Sequence, residues 1–559
     1  MLLSLVLSLL AAAPQVGSPN TAVADPDVPR PESTPCRVTL FEGVTFADFS
    51  GKSFGYTPPS DCPGPWEKIV LEGDFAVSAG RQFDRTANLW LGGVNIFFGT
   101  TPEPSRDDIA PLLGERTWHV ERDLTDYAPL FAVPQAGEAD IGNLVNSTYT
   151  GIINGAARLV FYPLEHGGTS SADLVLPLSA GANGGTVGLG SGADSLTRTF
   201  ALPRNIERAY LDVVAESQYQ DEFWYLNVPN DVAAELGDYG CTSFRETQVA
   251  IDGKPAGVAP VYPWIYTGGI DPYLWRPIPG VQALNFVPVR VDLTPFAGVL
   301  SDGTPHSVGL SVTNACNYFS ATATLLLYLD RGSSQVTGAV TANTIGAPAP
   351  VVQESLVNGS DGSIKGTITV TSTRNFTVTG WVKTSHGKVQ TSIAQSIGFS
   401  SVQTIDYTSA ASVQNALQST SIDSVTTRRG GEAQETVRER LRWPLKLDYD
   451  FINNADGSYA QVVSIDQGYQ RSASRTREGD TVSSYLSNQV STGDTLSFSP
   501  SFRVTGHAGA RSSQHYFGSD SEGRCYSRSI AAAQSSASST HPNTDVLVSI
   551  VDGQGCEGD

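Results

Sequence analysis

The chain has 559 residues and a formal net charge of −21, with 56 acidic against 35 basic side chains. A surface that binds nucleic acid or an anionic membrane needs clustered Lys and Arg, so this balance argues against both partners. The length is too great for one hydrophobic core and predicts roughly three or four domains. With 55 glycines and 33 prolines beside many Ser, Thr and Val, the composition favours sheets joined by tight turns.

The first 24 residues have the features of a signal peptide. The apolar run "LLSLVLSLLAAA" has about the length of a signal-peptide core and is too short to span a bilayer. Small residues follow at Ala22 and Ala24, which predicts cleavage after Ala24. No later segment approaches ~18 uninterrupted apolar residues, so we expect a secreted chain without a membrane anchor.

Two series of predicted strands follow. β-branched and aromatic runs from "RVTLFEG" to "ARLVFYPL", separated by Gly, Pro and Asp, predict a first domain at 25–195 that ends near the Gly-rich stretch 181–194. A second series of similar spacing, from "RAYLDVVAESQ" to "TATLLLYLDR", predicts a second domain at 196–335. The pattern indicates two β-sandwiches in tandem. One short helix is predicted at 230–239, capped by Asn230 or Asp231.

The chain changes character after residue 335. Residues 336–350 have the composition of a linker. Beyond it, stretches such as "GTITVTSTRNFTVTGWVKT" alternate Ser or Thr with apolar residues, which predicts a C-terminal all-β region at 351–559.

The cysteine pattern agrees with export. The six cysteines form no CxxC pair and accompany no HExxH motif or histidine cluster, so we expect disulfides and no metal. Their grouping favours the pairs Cys36–Cys62, Cys241–Cys316 and Cys525–Cys556, although other pairings remain open.

One predicted strand, "RQFDRTANLWLGG" at 81–93, carries unusual residues. Side chains alternate between the two faces of a strand, so Asp84 shares a face with Trp90 while Arg85 lies on the other face. A strand that covers a core is normally apolar on one face and charged on the other. The mixture on both faces indicates a functional role for this segment.

Several long segments resemble one enzyme family. "RQFDRTANLWLGGVNIFFGTTPEPS", "NSTYTGIINGAARLVFYP", "DEFWYLNVPND", "FRETQVAIDG", "YTGGIDPYLWRPI" and "VTNACNYFSATATLLLYLD" are similar to the peptide-N-glycosidase A family, and the similarity continues into "TGWVKTSHGKVQTSIAQS". The resemblance implies an acid-active amidase that cleaves the bond between asparagine and the first N-acetylglucosamine of an N-glycan. Its expected partners are N-glycosylated peptides and glycoproteins, and we expect a monomer that needs no cofactor.

A shorter resemblance extends to the F-type amidases, whose fold is two side-by-side jelly rolls. Their "WDRYANVYV" strand resembles "FDRTANLWL" here and implies that the catalytic aspartate is Asp84. Two further F-type glutamates have no clear counterpart, and Glu222 in "DEFWY" is the nearest substitute for one of them. The expected fold is therefore all-β, with two tandem jelly-roll sandwiches and a C-terminal β region.

Amide hydrolysis needs an activated water, a polarised carbonyl and a proton for the departing nitrogen, which two carboxylates of different pKa can supply. The candidate carboxylates are Asp84, Glu103, Glu222 and Glu246. Arg85 and Arg245 are candidates for polarising the carbonyl. Sugar rings pack on indoles and bind amides, so the remaining candidates for substrate binding are Trp90, Trp224, Asn227, Asn230, Trp275 and Arg276.

Each candidate also has a structural interpretation. Asp84 suits an ion pair, Glu246 a solvated strand face, Glu103 a loop between prolines, and the tryptophans a core.

Two other functions also remain open, namely a glycan-binding protein without activity and a glycosidase that uses two carboxylates. For the amidase we expect an activity optimum between roughly pH 4 and 6.

Overall fold

The computed structural model describes residues 14–103, 115–164, 171–179, 181–430, 433–534 and 545–553. Strands account for nearly all of its regular structure, so the all-β prediction is confirmed. Two short α-helices and five 3-10 helices lie in the connections of the described chain. They are α1 Asn230–Leu236, α2 Ala297–Leu300, and the 3-10 helices Thr125–Phe131, Tyr219–Asp221, Trp224–Leu226, Pro272–Trp275 and Thr294–Phe296.

The first sandwich packs two four-stranded antiparallel sheets, with the orders β1-β8-β3-β6 and β2-β7-β4-β5. Its strands are β1 Cys36–Phe46, β2 Lys52–Tyr56, β3 Trp66–Val77, β4 Thr86–Leu91, β5 Val94–Thr100, β6 Arg116–Asp123, β7 Gln135–Ile141 and β8 Ile153–Pro163. Apart from the hairpin β4–β5, each connection carries the chain from one sheet to the other. This alternation between sheets fits the jelly roll expected from sequence, and we interpret the first sandwich as a jelly roll on that ground.

The second sandwich repeats the same winding. Its sheets have the orders β10-β17-β12-β15, with β9 added beside β17, and β11-β16-β13-β14. Its strands are β9 Leu174–Pro177, β10 Val187–Leu189, β11 Leu196–Ala201, β12 Ile206–Gln218, β13 Glu246–Ile251, β14 Lys254–Pro260, β15 Val289–Asp292, β16 Pro305–Thr313 and β17 Tyr318–Leu329. β9 and β10 precede residue 195, where the sequence places the domain boundary.

The C-terminal region forms one antiparallel sheet, which we call the C-terminal sheet, in which β20 to β28 lie side by side in chain order. β18 and β19 both pair with β20, so the predicted linker 336–350 contains β18. The strands are β18 Thr337–Asn343, β19 Val351–Asn358, β20 Ile364–Thr384, β21 Gly387–Tyr407, β22 Ala411–Gly430, β23 Ala433–Asn453, β24 Tyr459–Arg477, β25 Asp480–Phe498, β26 Val504–Asp520, β27 Cys525–Gln534 and β28 Asp545–Asp552.

The three units share their hydrophobic cores. Phe98 of β5 belongs to the core of the second sandwich and packs against Phe286, while Leu326 of β17 belongs to the core of the first. The C-terminal sheet turns one face to the second sandwich, where Phe399 contacts Trp224. Alternating Ser or Thr with apolar residues leaves the other face of its long strands polar.

Two predicted disulfides are confirmed. Cys36, at the start of β1, bonds to Cys62, and Cys241 bonds to Cys316 in the second sandwich. Cys525 is also disulfide-bonded. Its predicted partner, Cys556, lies outside the described residues.

Residues of the predicted signal peptide that the structure describes pack onto the rest of the chain. Ala22 and Ala24 are buried. The Ala22 N–H donates to the carbonyl of Pro277, and the Ala24 N–H donates to Gln514 of β26. Residues 1–13, which include the whole of the predicted apolar core, lie outside the described residues. In the part of the chain that the structure describes, no helix is long and apolar enough to cross a membrane.

Candidate active site

Asp84 lies at the contact between the two sandwiches. Strand β4 begins at Thr86, so Asp84 and Arg85 precede the strand instead of alternating within it. Asp84 Oδ2 accepts a hydrogen bond of 2.8 Å from the Gly268 N–H in the second sandwich. The mixed character of the 81–93 segment therefore comes from a junction between domains followed by a core strand.

A cavity of about 210 Å³ opens beside Asp84. Its walls come from residues at β4 and β5 of the first sandwich, and from the end of β12, the segment that follows it and Tyr266 in the second. The lining residues are Asp84, Arg85, Thr86, Thr100, Glu216, Gln218, Tyr219, Glu222 and Tyr266. Three carboxyl groups from two domains thus converge on one opening.

Glu216 is fixed in this wall by hydrogen bonds. It lies near the end of β12. There it accepts a hydrogen bond of 2.8 Å from the Thr86 hydroxyl, across the domain contact, and one of 2.7 Å from the Gln218 amide. Burial raises the pKa of Glu216 to about 8, with the negative charges of Glu222 and Asp84 adding to the effect and the two hydrogen bonds opposing it. The group is protonated in mildly acidic solution.

Glu222 follows the 3-10 helix Tyr219–Asp221 and is half-buried. Burial, followed by the negative charges of Asp84 and Glu103, raises its pKa to about 8. Burial also raises the pKa of Asp84, while the Gly268 N–H and the charge of Arg85 act to lower it. Environments that separate the pKa values of neighbouring carboxyls allow an acid and a base to act together.

Glu103 does not line the cavity but lies beside Asp84 at Gly268. A Cβ built on Gly268 would lie 2.5 Å from Glu103 Oε2 and 2.8 Å from Asp84 Oδ1, so only glycine lets both carboxylates approach the backbone here. Arg276 Nε donates to the Glu103 carbonyl at 3.1 Å, and its Nη2 lies 3.6 Å from the Glu103 carboxylate. The predicted residues Asp84, Glu103, Glu222, Arg85 and Arg276 therefore lie in one neighbourhood.

Glu246 is not brought to this neighbourhood. It lies on β13, buried, and forms an ion pair with Arg374 of the C-terminal sheet. Its carboxylate also accepts 2.7 Å from the Gln248 amide. The expected solvated strand face is instead covered by the C-terminal sheet.

Arg245 also has a partner away from the cavity. Its buried guanidinium donates to Asp221 Oδ1 from Nε at 3.0 Å and from Nη2 at 2.8 Å, and to the carbonyls of Cys241, Thr242 and Phe244. These contacts occupy the donors that would be needed to polarise a substrate carbonyl. Arg245 holds the segment that leads to Glu222.

The asparagines support the backbone. The Asn227 amide donates to the Gln220 carbonyl at 3.3 Å. Asn230 is exposed at the start of α1, and its side chain accepts 2.8 Å from the Cys241 N–H. The predicted helix is confirmed, but Pro229 occupies the N-cap position, so neither Asn230 nor Asp231 caps it.

The three tryptophans are buried and do not line the cavity. Trp90 and Trp275 are each 2% exposed and Trp224 is 0% exposed. Gly184 lies against the Trp90 ring, and Trp275 Nε1 donates to the Gly269 carbonyl at 2.9 Å. In this chain the indoles pack the core, and the exposed aromatic ring at the cavity is Tyr219, at 71% exposure.

Sequence reasoning missed Glu216, Tyr219, Tyr266 and Gly268. Glu216 had a signal, because the apolar run "YLDVVAES" of a predicted strand is interrupted by only two carboxylates, Asp212 and Glu216, and Glu216 lies near the end of the strand. Tyr266 had none, since its role depends on a hydrogen bond of 2.6 Å from its hydroxyl to the Ser217 carbonyl, which is distant in sequence. In the described residues, no group of three His, Cys, Asp or Glu side chains is arranged to hold a metal ion.

Comparisons with known proteins place the chain in a family. A family model described as peptide N-acetyl-beta-D-glucosaminyl asparaginase amidase A matches residues 25–345. A Prunus dulcis protein named peptide-N4-(N-acetyl-beta-glucosaminyl)asparagine amidase A is 33% identical over 463 residues, which cover 78% of each chain.

Solved structures give weaker similarity. PNGase F, a glycosylasparaginase from Flavobacterium meningosepticum, matches 53% of this chain and 96% of its own at 16% identity, with a TM-score of 0.35. PNGF-II matches 53% of this chain and 65% of its own at 13% identity, with a TM-score of 0.37. From the family match and the identity to the Prunus dulcis protein, we conclude that this chain belongs to the peptide N-acetyl-beta-D-glucosaminyl asparaginase amidase A family.

Proposed function

We propose that the chain is a peptide-N4-(N-acetyl-β-glucosaminyl)asparagine amidase whose active site is the cavity between the two sandwiches. The observation that carries this proposal is the convergence of Asp84, Glu216 and Glu222 on one opening, with raised pKa values, in a chain of this family. The substrate is an N-glycosylated peptide or glycoprotein. The products are a glycosylamine and a peptide with aspartate in place of asparagine.

Asp84 is the proposed base. In its ionised form it takes a proton from a water molecule whose oxygen attacks the carbonyl carbon of the asparagine side chain. The Gly268 N–H and Arg85 favour the ionised form, which opposes the effect of burial. The bond that forms joins water oxygen to carbonyl carbon, and the bond that breaks joins that carbon to the glycosyl nitrogen.

Glu222 is the proposed acid. With a pKa of about 8 it is protonated in acid and near neutrality, and it can give its proton to the departing glycosylamine nitrogen. Glu216, also protonated, is held by Thr86 and Gln218 and supplies a second O–H donor on the same wall, suited to the carbonyl oxygen. Asp84 is ionised and both glutamates are protonated from above the pKa of Asp84 to near pH 8. This pH range extends beyond the activity optimum expected from sequence.

Sugar binding falls to the tyrosines at the opening. Tyr219 is exposed at the rim and packs edge-to-face on Tyr318, with ring centroids 5.6 Å apart. Its φ of 52° is rare for a residue with a Cβ. Phenol rings offer an apolar face and a polar edge, the combination that a sugar ring requires.

Secretion is part of the proposal. The Cys36–Cys62 and Cys241–Cys316 disulfides suit an oxidising compartment, which is where mature N-glycoproteins are found. The apolar N-terminal run supplies the export signal.

The test is incubation of a defined N-glycopeptide with the purified chain, followed by mass spectrometry of peptide and sugar. The proposal expects the free peptide to carry aspartate and the whole glycan to be released as the glycosylamine. A peptide that retains N-acetylglucosamine would indicate a glycosidase. An unchanged glycopeptide that co-elutes with the protein would indicate a binding protein without activity.

A further inference from the structure

Two loops of the second sandwich contact or carry the proposed base and acid. The Glu222 loop, residues 219–228, carries Glu222. The Gly268 loop, residues 262–281, carries the Gly268 N–H, which donates a hydrogen bond to Asp84, and the Arg276 guanidinium, which lies beside Glu103. Apart from short 3-10 turns, neither loop has regular structure. Their buried backbone groups therefore need hydrogen-bond partners from elsewhere.

The C-terminal sheet supplies such partners to the Gly268 loop. Gln467 of β24 is 2% exposed. Its side chain donates a hydrogen bond of 2.7 Å to the carbonyl of Pro263 and accepts one of 2.8 Å from the N–H of Val281. One side chain thus ties together the two ends of the loop. Gln461, on the same buried face of β24, donates 3.1 Å to the Ile270 carbonyl.

Two further contacts hold the middle of the Gly268 loop. The Thr492 hydroxyl of β25 donates 2.7 Å to the carbonyl of Leu274. The His507 ring of β26 stacks on Tyr273, with centroids 3.9 Å apart. The loop is therefore held along its length by one face of one sheet.

The Glu222 loop is held in the same way. The Gln414 amide of β22 donates a hydrogen bond of 2.9 Å to the Leu226 carbonyl, and the Gln403 amide of β21 donates one of 3.1 Å to the Asn227 carbonyl. Both glutamines are buried, and they also bond to each other at 3.0 Å. Buried amides are costly unless they have hydrogen-bond partners in fixed positions, so these side chains define where the loop carbonyls lie.

We propose that the C-terminal sheet is part of the catalytic apparatus, and that Gln414 and Gln467 are positioning residues that set the Glu222 loop and the Gly268 loop against Asp84. The inference rests on the proposed function. It extends beyond the family match, which ends at residue 345 while the sheet that holds both loops continues to β28.

The substitutions Gln467→Met and Gln414→Met test the proposal, because methionine keeps the side-chain length and removes the hydrogen bonds. Gln418→Met is the matched control, since Gln418 is 1% exposed on the same face of β22 and its amide atoms have no hydrogen-bond partner among the described residues. We expect kcat on a glycopeptide to fall by about 10- to 100-fold in each test variant, because small misplacements of reacting groups cost that much. KM should change by less than about three-fold, and Gln418→Met should match the wild type.

The pH profile separates positioning from folding. If Gln467→Met displaces the Gly268 N–H, Asp84 loses a hydrogen bond that favours its ionised form. The acid limb of kcat/KM should then move to higher pH, while Arg85, Glu103, Glu216 and Glu222 still face Asp84. Gln467→Glu, which when protonated retains both hydrogen bonds, should lie closer to the wild type at acidic pH.

Hydrogen exchange gives a readout that does not need activity. Backbone exchange in residues 264–270 should accelerate in Gln467→Met and not in Gln418→Met. Unchanged exchange, or a lowered melting temperature with wild-type kcat and an unmoved acid limb, would overturn the proposal. If the wild type releases no glycan, the proposed function fails, while the exchange result still decides whether the sheet positions the loop.

Discussion

At the level of single residues, the carboxyls that meet substrate decide the chemistry. We expect Glu222→Gln to lower kcat by about 100-fold or more, because glutamine cannot give a proton to the leaving nitrogen. Glu246→Gln should leave kcat near the wild-type value and lower the melting temperature, since it removes the charge partner of buried Arg374. Steady-state kinetics and thermal unfolding of both variants check this pair. A larger loss of kcat in Glu246→Gln would contradict the placement of the acid.

Tyr219 gives a second prediction at this scale. Tyr219→Ala should raise KM for a glycopeptide by about ten-fold and change kcat little, because an aromatic contact with sugar contributes on the order of 1 kcal/mol. Tyr219→Phe should retain most of the binding. Tyr239→Ala is the control, because Tyr239 is 49% exposed and does not line the cavity. Equal KM values for the two alanine variants would remove Tyr219 from the binding site.

The sequence predicted individual site residues unevenly, for physical reasons. Asp84 followed from a local motif whose neighbours are contiguous in the chain. The structure buries Trp90, Trp224 and Trp275, which the sequence predicted to bind sugar. An aromatic side chain looks the same in sequence whether it packs a core or lines an opening. Glu216 was missed although its position in an apolar strand marked it, and Gly268 became significant only when a distant segment was placed beside Asp84.

At the scale of elements, the segment before Glu222 depends on a buried ion pair. Asp221 accepts hydrogen bonds from Arg245 and from the N–H groups of Cys316, Asn317 and Tyr318, which fixes the turn after β12. We expect Arg245→Met to lower the free energy of unfolding by about 3–5 kcal/mol, because it leaves Asp221 buried without its charge partner. Urea unfolding measures the change. A loss below about 1 kcal/mol would show that the pair does not hold this segment.

Element type was more predictable than element boundary. Alternation and turn residues marked the long strands of the C-terminal sheet, such as β20 and β21, because each strand has one buried and one polar face. The short strands β9 and β10 carry little pattern of their own. They pair with β17, which lies far along the chain, and this non-local pairing cannot be read from their residues.

At the scale of the whole molecule, buried carboxyls should make the fold most stable in mild acid. Burial raises the pKa of Glu216 and Glu222 to about 8, and of Asp271 and Asp545 to about 7. In the unfolded chain these groups titrate near pH 4. Between about pH 4 and 8 the folded state therefore binds more protons, and the free energy of unfolding falls as pH rises.

Two groups set the limits of this range. Although burial opposes it, hydrogen bonds to Asp74 and Glu121 raise the pKa of His119 to about 9, so its stabilising contribution is full below its unfolded pKa and is lost as pH rises through 9. Although burial opposes this too, His119 and Arg30 lower the pKa of Glu121 to about 2, so its contribution is full above about 4.5 and is lost as pH falls toward 2. The melting temperature should rise from pH 8 to pH 5 and fall below pH 4. A higher melting temperature at pH 8 than at pH 5 would contradict the assignment of these buried acids.

The central claim is that the cavity between the sandwiches hydrolyses the asparagine amide through Asp84. The most direct measurement is turnover of a defined N-glycopeptide by Asp84→Asn beside the wild type, with Asp361→Asn, an exposed turn residue, as the matched control. We expect a loss of at least about 100-fold in kcat for Asp84→Asn. Its melting temperature should be unchanged, and Asp361→Asn should behave as the wild type. Wild-type turnover by a folded Asp84→Asn would contradict the claim.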